Sequence, residues 1–116
     1  MADVNYFKSD IREMEFALFE HFKLGELLAA KPYDHISAED ARLILKEAHH
    51  FATEVIGPTM QSTDQEGAKL TKDGVKVPRA LHTVYKQFYE NGWNTLTLPE
   101  AAGGQGAPML LGVAVT

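Results

Sequence analysis

Glu47, His50 and Glu54 come nearest, by residue type and spacing, to a metal site. A Glu-x-x-His pair on one helix face forms half of a di-iron carboxylate site in a four-helix bundle, and Glu47 and His50 have this spacing. Such a site needs a second Glu-x-x-His pair, which the sequence lacks, and two further glutamates. His49 and His50 are adjacent, so they point about 100° apart on a helix. The pattern therefore favours a solvated helix face over a metal site.

The glycine loop, residues 103–106 (GGQG), is the second candidate for chemistry. Glycines leave backbone N–H groups accessible, and a helix that starts after Pro108 would add a positive dipole end, so the loop resembles a phosphate cradle. The sequence contains neither Gly-x-Gly-x-x-Gly after a strand nor Gly-Lys-Ser/Thr, which favours a tight structural turn instead. A glycine loop beside an apolar helix still allows a ligand to approach the backbone closely.

The remaining polar and aromatic residues carry little chemistry of their own. His21, His35 and His82 are isolated in the sequence, and no Gly-x-Ser-x-Gly turn marks a nucleophile. We expect Tyr85, Tyr89 and Trp93 to belong to the core rather than to a base-stacking platform, because no basic stripe accompanies them. The only basic concentration is interrupted by apolar and turn residues and is expected to be solvated; it comprises Lys69, Lys72, Lys76, Arg79 and Lys86.

Composition limits the classes of protein further. The 116 residues carry a formal charge of −5, with 45% hydrophobic residues and no cysteine. This predicts a globular domain without disulfides or thiolate chemistry, in a reducing compartment, and argues against nucleic-acid binding. The start of the chain lacks the basic flank and apolar segment of a secretory signal, and no apolar run approaches the roughly 20 residues of a transmembrane helix. We therefore expect a cytoplasmic protein.

Apolar spacing predicts an all-α fold of about four helices with a long polar connection. A Phe-rich amphipathic helix is predicted over residues 10–29 and ends at Lys31-Pro32. Ser37 and Asp40 have the spacing of a helix cap and predict a second helix. Gly57-Pro58 either interrupts this helix or starts a further turn through Met60.

The second half of the chain alternates connections and helices. Residues 61–77 form the polar connection, in which Asp73-Gly74 predicts a turn. Pro78 is placed to open a third helix, which Asn91-Gly92 closes. The last helix, from Pro108, is almost entirely apolar and has no polar end, so we expect its partner elements to lie in residues absent from a truncated chain or in another chain.

Several short segments occur in an order that is more specific than any one of them. In chain order they are residues 51–58 (FATEVIGP), Asp64 with Gly67, residues 73–78 (DGVKVP), 89–93 (YENGW), 98–100 (LPE) and 103–106 (GGQG). Together they resemble the N-terminal helical domain of the acyl-CoA dehydrogenase family, over residues 43–115. Residues 6–12 and 16–20 are similar to the N-terminal extension of a larger bacterial subgroup of these enzymes. The resemblance implies a helical extension over residues 1–32 and a helical domain, incomplete at its C-terminus, over residues 33–116.

The resemblance implies a flavoenzyme that removes an α proton and a β hydride from a fatty acyl-CoA thioester. FAD accepts the hydride, a glutamate is the base, electrons pass to an electron-transfer flavoprotein, and the full-length enzyme is a homo-oligomer. The base and the main flavin contacts have no counterpart here, so no catalytic residue is assigned and the isolated chain is expected to be inactive. The residues expected to line the acyl or flavin cavity are Gly103, Gly104, Gln105, Gly106 and Met109. The alternative is a small helical module that binds a protein partner through its apolar helices.

Overall fold

Residues 4–116 are described in a computed structural model in which helices dominate and one short hairpin is the sheet. This confirms the predicted all-α class, with the hairpin as an addition. Within these residues no helix is long and apolar enough to cross a bilayer. The elements are α1 (Ile11–Glu15), α2 (Leu24–Leu28), α3 (Ala38–Phe51), α4 (Met60–Glu66), β1 (Lys69–Thr71), β2 (Gly74–Lys76), α5 (Arg79–Glu90) and α6 (Met109–Val115).

The described chain divides into two compact units. One unit consists of residues 4–8 with His50–Asn91, and the other of Ser9–His49 with Gly92–Thr116. The second unit contains a contiguous apolar core to which α2, α3, α6 and the segments between them contribute. Its buried members are Leu18, Leu24, Leu28, Ile36, Ala41, Leu45, Leu96, Ala107 and Leu111.

The predicted single helix over residues 10–29 is wrong, because the structure breaks it at Lys23. Asp10 caps α1 by accepting hydrogen bonds from the backbone N–H groups of Arg12 and Glu13. A π-helical segment, Phe16–His21, then follows α1. Lys23 has a φ of 55°, a left-handed conformation that is incompatible with a right-handed α-helix. The helix therefore stops there, and α2 starts at the next residue. Leu18, in the π-helical segment, still reaches the core.

The predicted cap of the second helix is confirmed. The Asp40 N–H donates to Ser37 Oγ over 3.0 Å, and the Ser37 N–H donates to Asp40 Oδ2 over 2.9 Å, so two otherwise unsatisfied donors are paired reciprocally. The backbone hydrogen bond from Ser37, followed by its side-chain hydrogen bond, lowers the pKa of Asp40. The capping box therefore fixes where α3 begins.

The pKa of Asp40 predicts how the capping box responds to acid. Because the pKa is lower in the folded state, the contribution of the carboxylate is fully present above the unfolded pKa of about 3.9 and is lost as pH falls through the folded pKa. We expect the Tm of Asp40→Asn to lie below that of the wild type at neutral pH, and the two to converge below about pH 4. Thermal unfolding followed by circular dichroism between pH 3 and pH 7 measures this. Asp64→Asn on α4 is the control, and a Tm difference that does not change with pH would contradict the prediction.

The helix of residues 38–66 continues through Gly57-Pro58, so the predicted further turn is right and the predicted interruption is wrong. A π-helical segment, Ala52–Ile56, and a 3₁₀ turn, Gly57–Thr59, connect α3 to α4. Pro58 lies in the first turn of the 3₁₀ segment, so the continuous helix lacks one backbone N–H donor there. Gly57 is buried against the Asn5 side chain, which leaves no room for a Cβ.

The predicted polar connection is more ordered than its composition indicates. Its first six residues belong to α4, and β1 and β2 then form an antiparallel hairpin with a two-residue turn at Lys72-Asp73. The predicted turn at this place is confirmed, since Gly74 has a φ of 115° and the Thr71 hydroxyl donates to the Gly74 carbonyl over 2.8 Å. In the register, Lys69 lies opposite Lys76.

Helix α5 follows Pro78 and ends at Glu90, and its C-cap Asn91 precedes Gly92, which has a φ of 76°. The predicted helix is thus confirmed, with Pro78 at the cap position. The assignment of Tyr85 and Tyr89 to the core is wrong, because Tyr85 is 63% exposed and Tyr89 is also exposed. Their rings lie 4.5 Å apart, and the hydrogen bond with Tyr89 raises the pKa of Tyr85.

Candidate functional site

The glycine loop is held by a ladder of backbone hydrogen bonds. Every N–H group from residue 103 to residue 107 donates to a carbonyl of the preceding segment. The acceptors are, in order, Glu100, Pro99, Thr95, Leu98 and Leu96, at 2.8 to 3.1 Å. A phosphate cradle requires N–H groups directed at the ligand, whereas these N–H groups are all used within the chain. The loop is therefore the tight structural turn that its sequence favours.

Three glycines of the loop have three different reasons to be glycine. Gly103 is exposed with a φ of 82°, a conformation that costs other residues about 1–2 kcal/mol. At Gly104 a Cβ would overlap the Leu98 backbone, so the close approach of the two segments depends on the missing side chain. Gly106 combines a φ of 66° with close packing, because a Cβ there would lie 3.1 Å from the His35 ring.

His35 joins the loop to the turn that precedes α3. Its Nε2–H donates to the Gln105 carbonyl over 2.9 Å, and the same nitrogen lies 3.7 Å from Glu100 Oε1. A carbonyl can only accept, so this contact fixes the ring tautomer with the proton on Nε2. The Gln105 side chain also donates, to the Gly92 carbonyl over 3.1 Å. The loop is thus attached at two points besides its own ladder.

A surface cleft of about 600 Å³ lies beside the loop. Two predicted site residues, Gly106 and Met109, line it, whereas Gly103, Gly104 and Gln105 are not among the residues that line it. No sequence pattern marks the opposite wall, because residues 31–35 are brought to the loop by tertiary structure. The other lining residues are Lys31, Pro32, Tyr33, Asp34, His35, Thr97, Pro99, Glu100 and Ala107.

Replacing His35 with alanine removes the donor to the Gln105 carbonyl. We expect amide hydrogen exchange at residues 104–106 to become about fivefold faster, which corresponds to the roughly 1 kcal/mol of a typical hydrogen bond. Mass spectrometry of exchange in the native state measures this. His35→Gln, which keeps an N–H donor, should restore part of the protection, and His21→Ala, an exposed histidine of the same unit, should change nothing. Equal exchange in wild type and His35→Ala would contradict the role of His35.

Helix α6 presents two unlike faces to its surroundings. Leu111 and Gly112 are buried, and a Cβ on Gly112 would overlap the Thr97 side chain. Met109 and Val113, one helical turn apart, are 67% and 68% exposed. Pro108 occupies the cap position, so the predicted helix start is confirmed to within one residue. Met109 therefore connects an exposed apolar stripe on α6 to the cleft.

In the part of the chain that the structure describes, Glu47 and His50 do not belong to a cluster of potential metal ligands. Residues 4–116 contain no group of three or more His, Asp or Glu side chains close enough to hold an ion. His49 is used structurally, because its Nε2–H donates to the Ser9 carbonyl over 3.2 Å.

This chain is similar to a known protein family and to a known enzyme. Residues 38–116 match the family described as acyl-CoA dehydrogenase, N-terminal domain. Over 110 residues the chain is 34% identical to 3-methylmercaptopropionyl-CoA dehydrogenase of Ruegeria pomeroyi, a match that takes in 95% of this chain and 19% of the relative. The chain therefore spans about a fifth of the length of the curated relative it matches.

Proposed function

Because the chain belongs to the acyl-CoA dehydrogenase family, we propose that it is the N-terminal part of an FAD-dependent oxidoreductase. The enzyme would introduce a double bond between the α and β carbons of a fatty acyl-CoA thioester. The family match over residues 38–116 is the observation that carries this proposal. The 34% identity to a dehydrogenase named for an acyl-CoA substrate supports it.

The remaining features of the enzyme belong to the same proposal. The electrons would leave through an electron-transfer flavoprotein, and the full-length enzyme would be a homo-oligomer. The enzyme would be cytoplasmic, and the lack of cysteine in this sequence is compatible with a reducing compartment. The isolated chain would be inactive, since no glutamate in it is assigned as the base. Residues 1–32 would be the extension and residues 33–116 the incomplete family domain. Residues 1–3 of the extension lie outside the described structure, and the family match begins at residue 38.

The glycine loop is the segment whose sequence resembles a phosphate cradle, so the pyrophosphate of FAD would bind there if this chain held it. The backbone N–H groups of residues 103–107 all donate to carbonyls of the same unit, so none is directed at a pyrophosphate. The loop does not fit the phosphate end of the cofactor. We therefore propose that the main flavin contacts come from parts of the full protein outside residues 4–116.

The contribution that we assign to this chain is one wall of the acyl cavity. Met109 and Val113 offer an exposed apolar stripe, which suits the acyl chain of a thioester, and ligand cavities are lined mainly by such side chains. Gly103, Gly104, Gln105 and Gly106 would set the position of this wall, because the ladder fixes the segment that leads into α6. A closed apolar wall would also exclude water from the reacting carbons.

The activity is tested on the intact protein in which this chain occurs. Purified with its flavin, the protein should reduce an artificial electron acceptor when it receives acyl-CoA thioesters. The substrates should span saturated chains of increasing length and include 3-methylmercaptopropionyl-CoA. The flavin absorbance should bleach on addition of the preferred substrate under anaerobic conditions. Failure of every acyl-CoA to bleach a protein-bound flavin would overturn the proposal.

The wall is tested separately by Met109→Ala. We expect KM to rise for the preferred acyl-CoA and the preference to shift towards longer chains, because the substitution enlarges the cavity. Met60→Ala, another exposed methionine but on α4, is the matched control. Identical chain-length profiles for Met109→Ala and the wild type would contradict the wall without affecting the proposed reaction.

A further inference from the structure

A second cleft, in the unit that contains His50–Asn91, concentrates positive charge. It has a volume of about 510 Å³ and lies between the end of α4, the hairpin and the first turn of α5. Its lining residues include three permanent cations and a histidine but one carboxylate, although the chain as a whole carries −5. They are Glu66, Gly67, Lys69, Val75, Lys76, Val77, Arg79 and His82. This set is named the basic cleft below.

The hairpin register places two of these cations directly opposite each other. Lys69 pairs with Lys76, so both side chains leave the same face of the ribbon. Like charges in direct cross-strand positions destabilise a hairpin. The arrangement costs folding free energy in the free protein, and an anion held between the two ammonium groups would remove that cost.

Helix α5 adds two further groups to the same cleft. Arg79 and His82 are three residues apart, so they lie on one side of the helix. Arg79 Nε lies 3.4 Å from Glu66 Oε1, while the arginine side chain remains 93% exposed. The cleft thus has one negative charge, on Glu66, and three positive charges, on Arg79, Lys69 and Lys76. Its net charge therefore remains positive.

We propose that the basic cleft binds a phosphate ester. Phosphate presents several acceptor oxygens, which match the ammonium and guanidinium donors that line this cleft, and charge-assisted hydrogen bonds of this kind are among the strongest in proteins. Val77, which follows β2, also lines the cleft, and the organic part of an ester would pack against it. The volume exceeds that of a single phosphate. The proposal is independent of the acyl-CoA dehydrogenase reaction, and its residues lie outside the cleft of His35 and Met109.

Lysine labelling tests this proposal at the level of single residues in the intact protein. An amine-reactive reagent is applied without and with inorganic phosphate, and peptide mass spectrometry gives the labelling rate of each lysine. At about ten times the dissociation constant, phosphate should slow labelling of Lys69 and Lys76 about tenfold, because only the unoccupied fraction reacts. Lys46, exposed on α3, is the internal control, and sodium chloride at the same ionic strength is the control for screening.

The same labelling experiment with lipid vesicles distinguishes a soluble phosphate ester from a lipid headgroup as the ligand. Protection by inorganic phosphate supports a soluble phosphate ester as the ligand. Protection only by vesicles that contain phosphatidylglycerol, and not by pure phosphatidylcholine vesicles, supports a lipid headgroup. Protection by none of these, or equal protection by sodium chloride, would overturn the proposal.

The variant Lys76→Gln keeps a polar side chain that is one methylene shorter and removes one of the two opposed charges. The phosphate concentration needed to protect Lys69 should rise at least about tenfold. Lys86→Gln removes the same charge from α5 at a residue that does not line the cleft, and should leave the protection of Lys69 unchanged. Equal effects of the two variants would show that total charge, not the cleft, governs protection, and would also overturn the proposal.

Discussion

Replacing Leu111 with alanine is expected to lower the free energy of unfolding by about 2–5 kcal/mol. Leu111 is completely buried and is the residue of α6 that belongs to the buried core, against which Leu110, Ala114 and Val115 of the same helix also pack. Truncation removes apolar burial and leaves a cavity in this core, which cannot collapse fully. Urea unfolding followed by circular dichroism gives the free energy from the midpoint and slope.

Val113→Ala is the matched control for this prediction. Val113 lies on the same helix, two residues from Leu111, but is exposed, so its truncation should change stability by about 0.5 kcal/mol or less. The contrast separates burial from helix propensity, since both substitutions introduce alanine. Similar losses for the two variants would mean that α6 does not pack as described.

Gly104→Ala should cost about 3 kcal/mol. A Cβ at this residue would overlap the backbone of Leu98, and backbone atoms cannot rotate away as a flexible side chain can. The Gly104 N–H to Pro99 carbonyl bond and its neighbours in the ladder would have to lengthen or break. Urea unfolding and amide exchange of residues 103–107 would report both consequences.

Gly103→Ala separates the two reasons for glycine in this loop. Gly103 has open space around its Cα but a left-handed backbone, so its replacement should cost only about 1 kcal/mol and leave the exchange of residues 105–107 nearly unchanged. If Gly103→Ala were as damaging as Gly104→Ala, the close approach of Leu98 would not explain the requirement for glycine at residue 104.

Helix starts and stops were predictable because they depend on local chemistry. The reciprocal bonds of Ser37 and Asp40, the cap position of Pro108 and the left-handed Gly92 involve partners within a few residues. The break at Lys23 was not predictable, because lysine has no preference for positive φ. The hairpin was missed for a related reason, since strands of three residues leave almost no alternation to detect.

The candidate site was predictable on one side only. Glycine content marks the loop, and the apolar sequence after Pro108 marks the helix that carries Met109. His35 is 70 residues from Gln105 in sequence, and nothing in the local pattern around it indicates that it packs on Gly106. The exposed Tyr85 and Tyr89 show the opposite limitation. Helical spacing predicts which residues share a face, but it does not show whether anything covers that face.

The two π-helical segments affect how this chain must be aligned with other sequences. In Phe16–His21 the Phe22 N–H donates to the Ala17 carbonyl, and in Ala52–Ile56 the Gly57 N–H donates to the Ala52 carbonyl, so each bond encloses one residue more than an α-helical bond. Deleting one residue inside either segment would restore α-helical bonding. Each α-helical residue rotates the chain by about 100° around the helix axis. An extra residue in a regular α-helix would therefore rotate all later side chains by this angle, whereas a π-helical segment takes up the extra residue and leaves their directions unchanged. A homologue that lacks one residue in this region would therefore align with its single-residue gap inside one of these two helical segments.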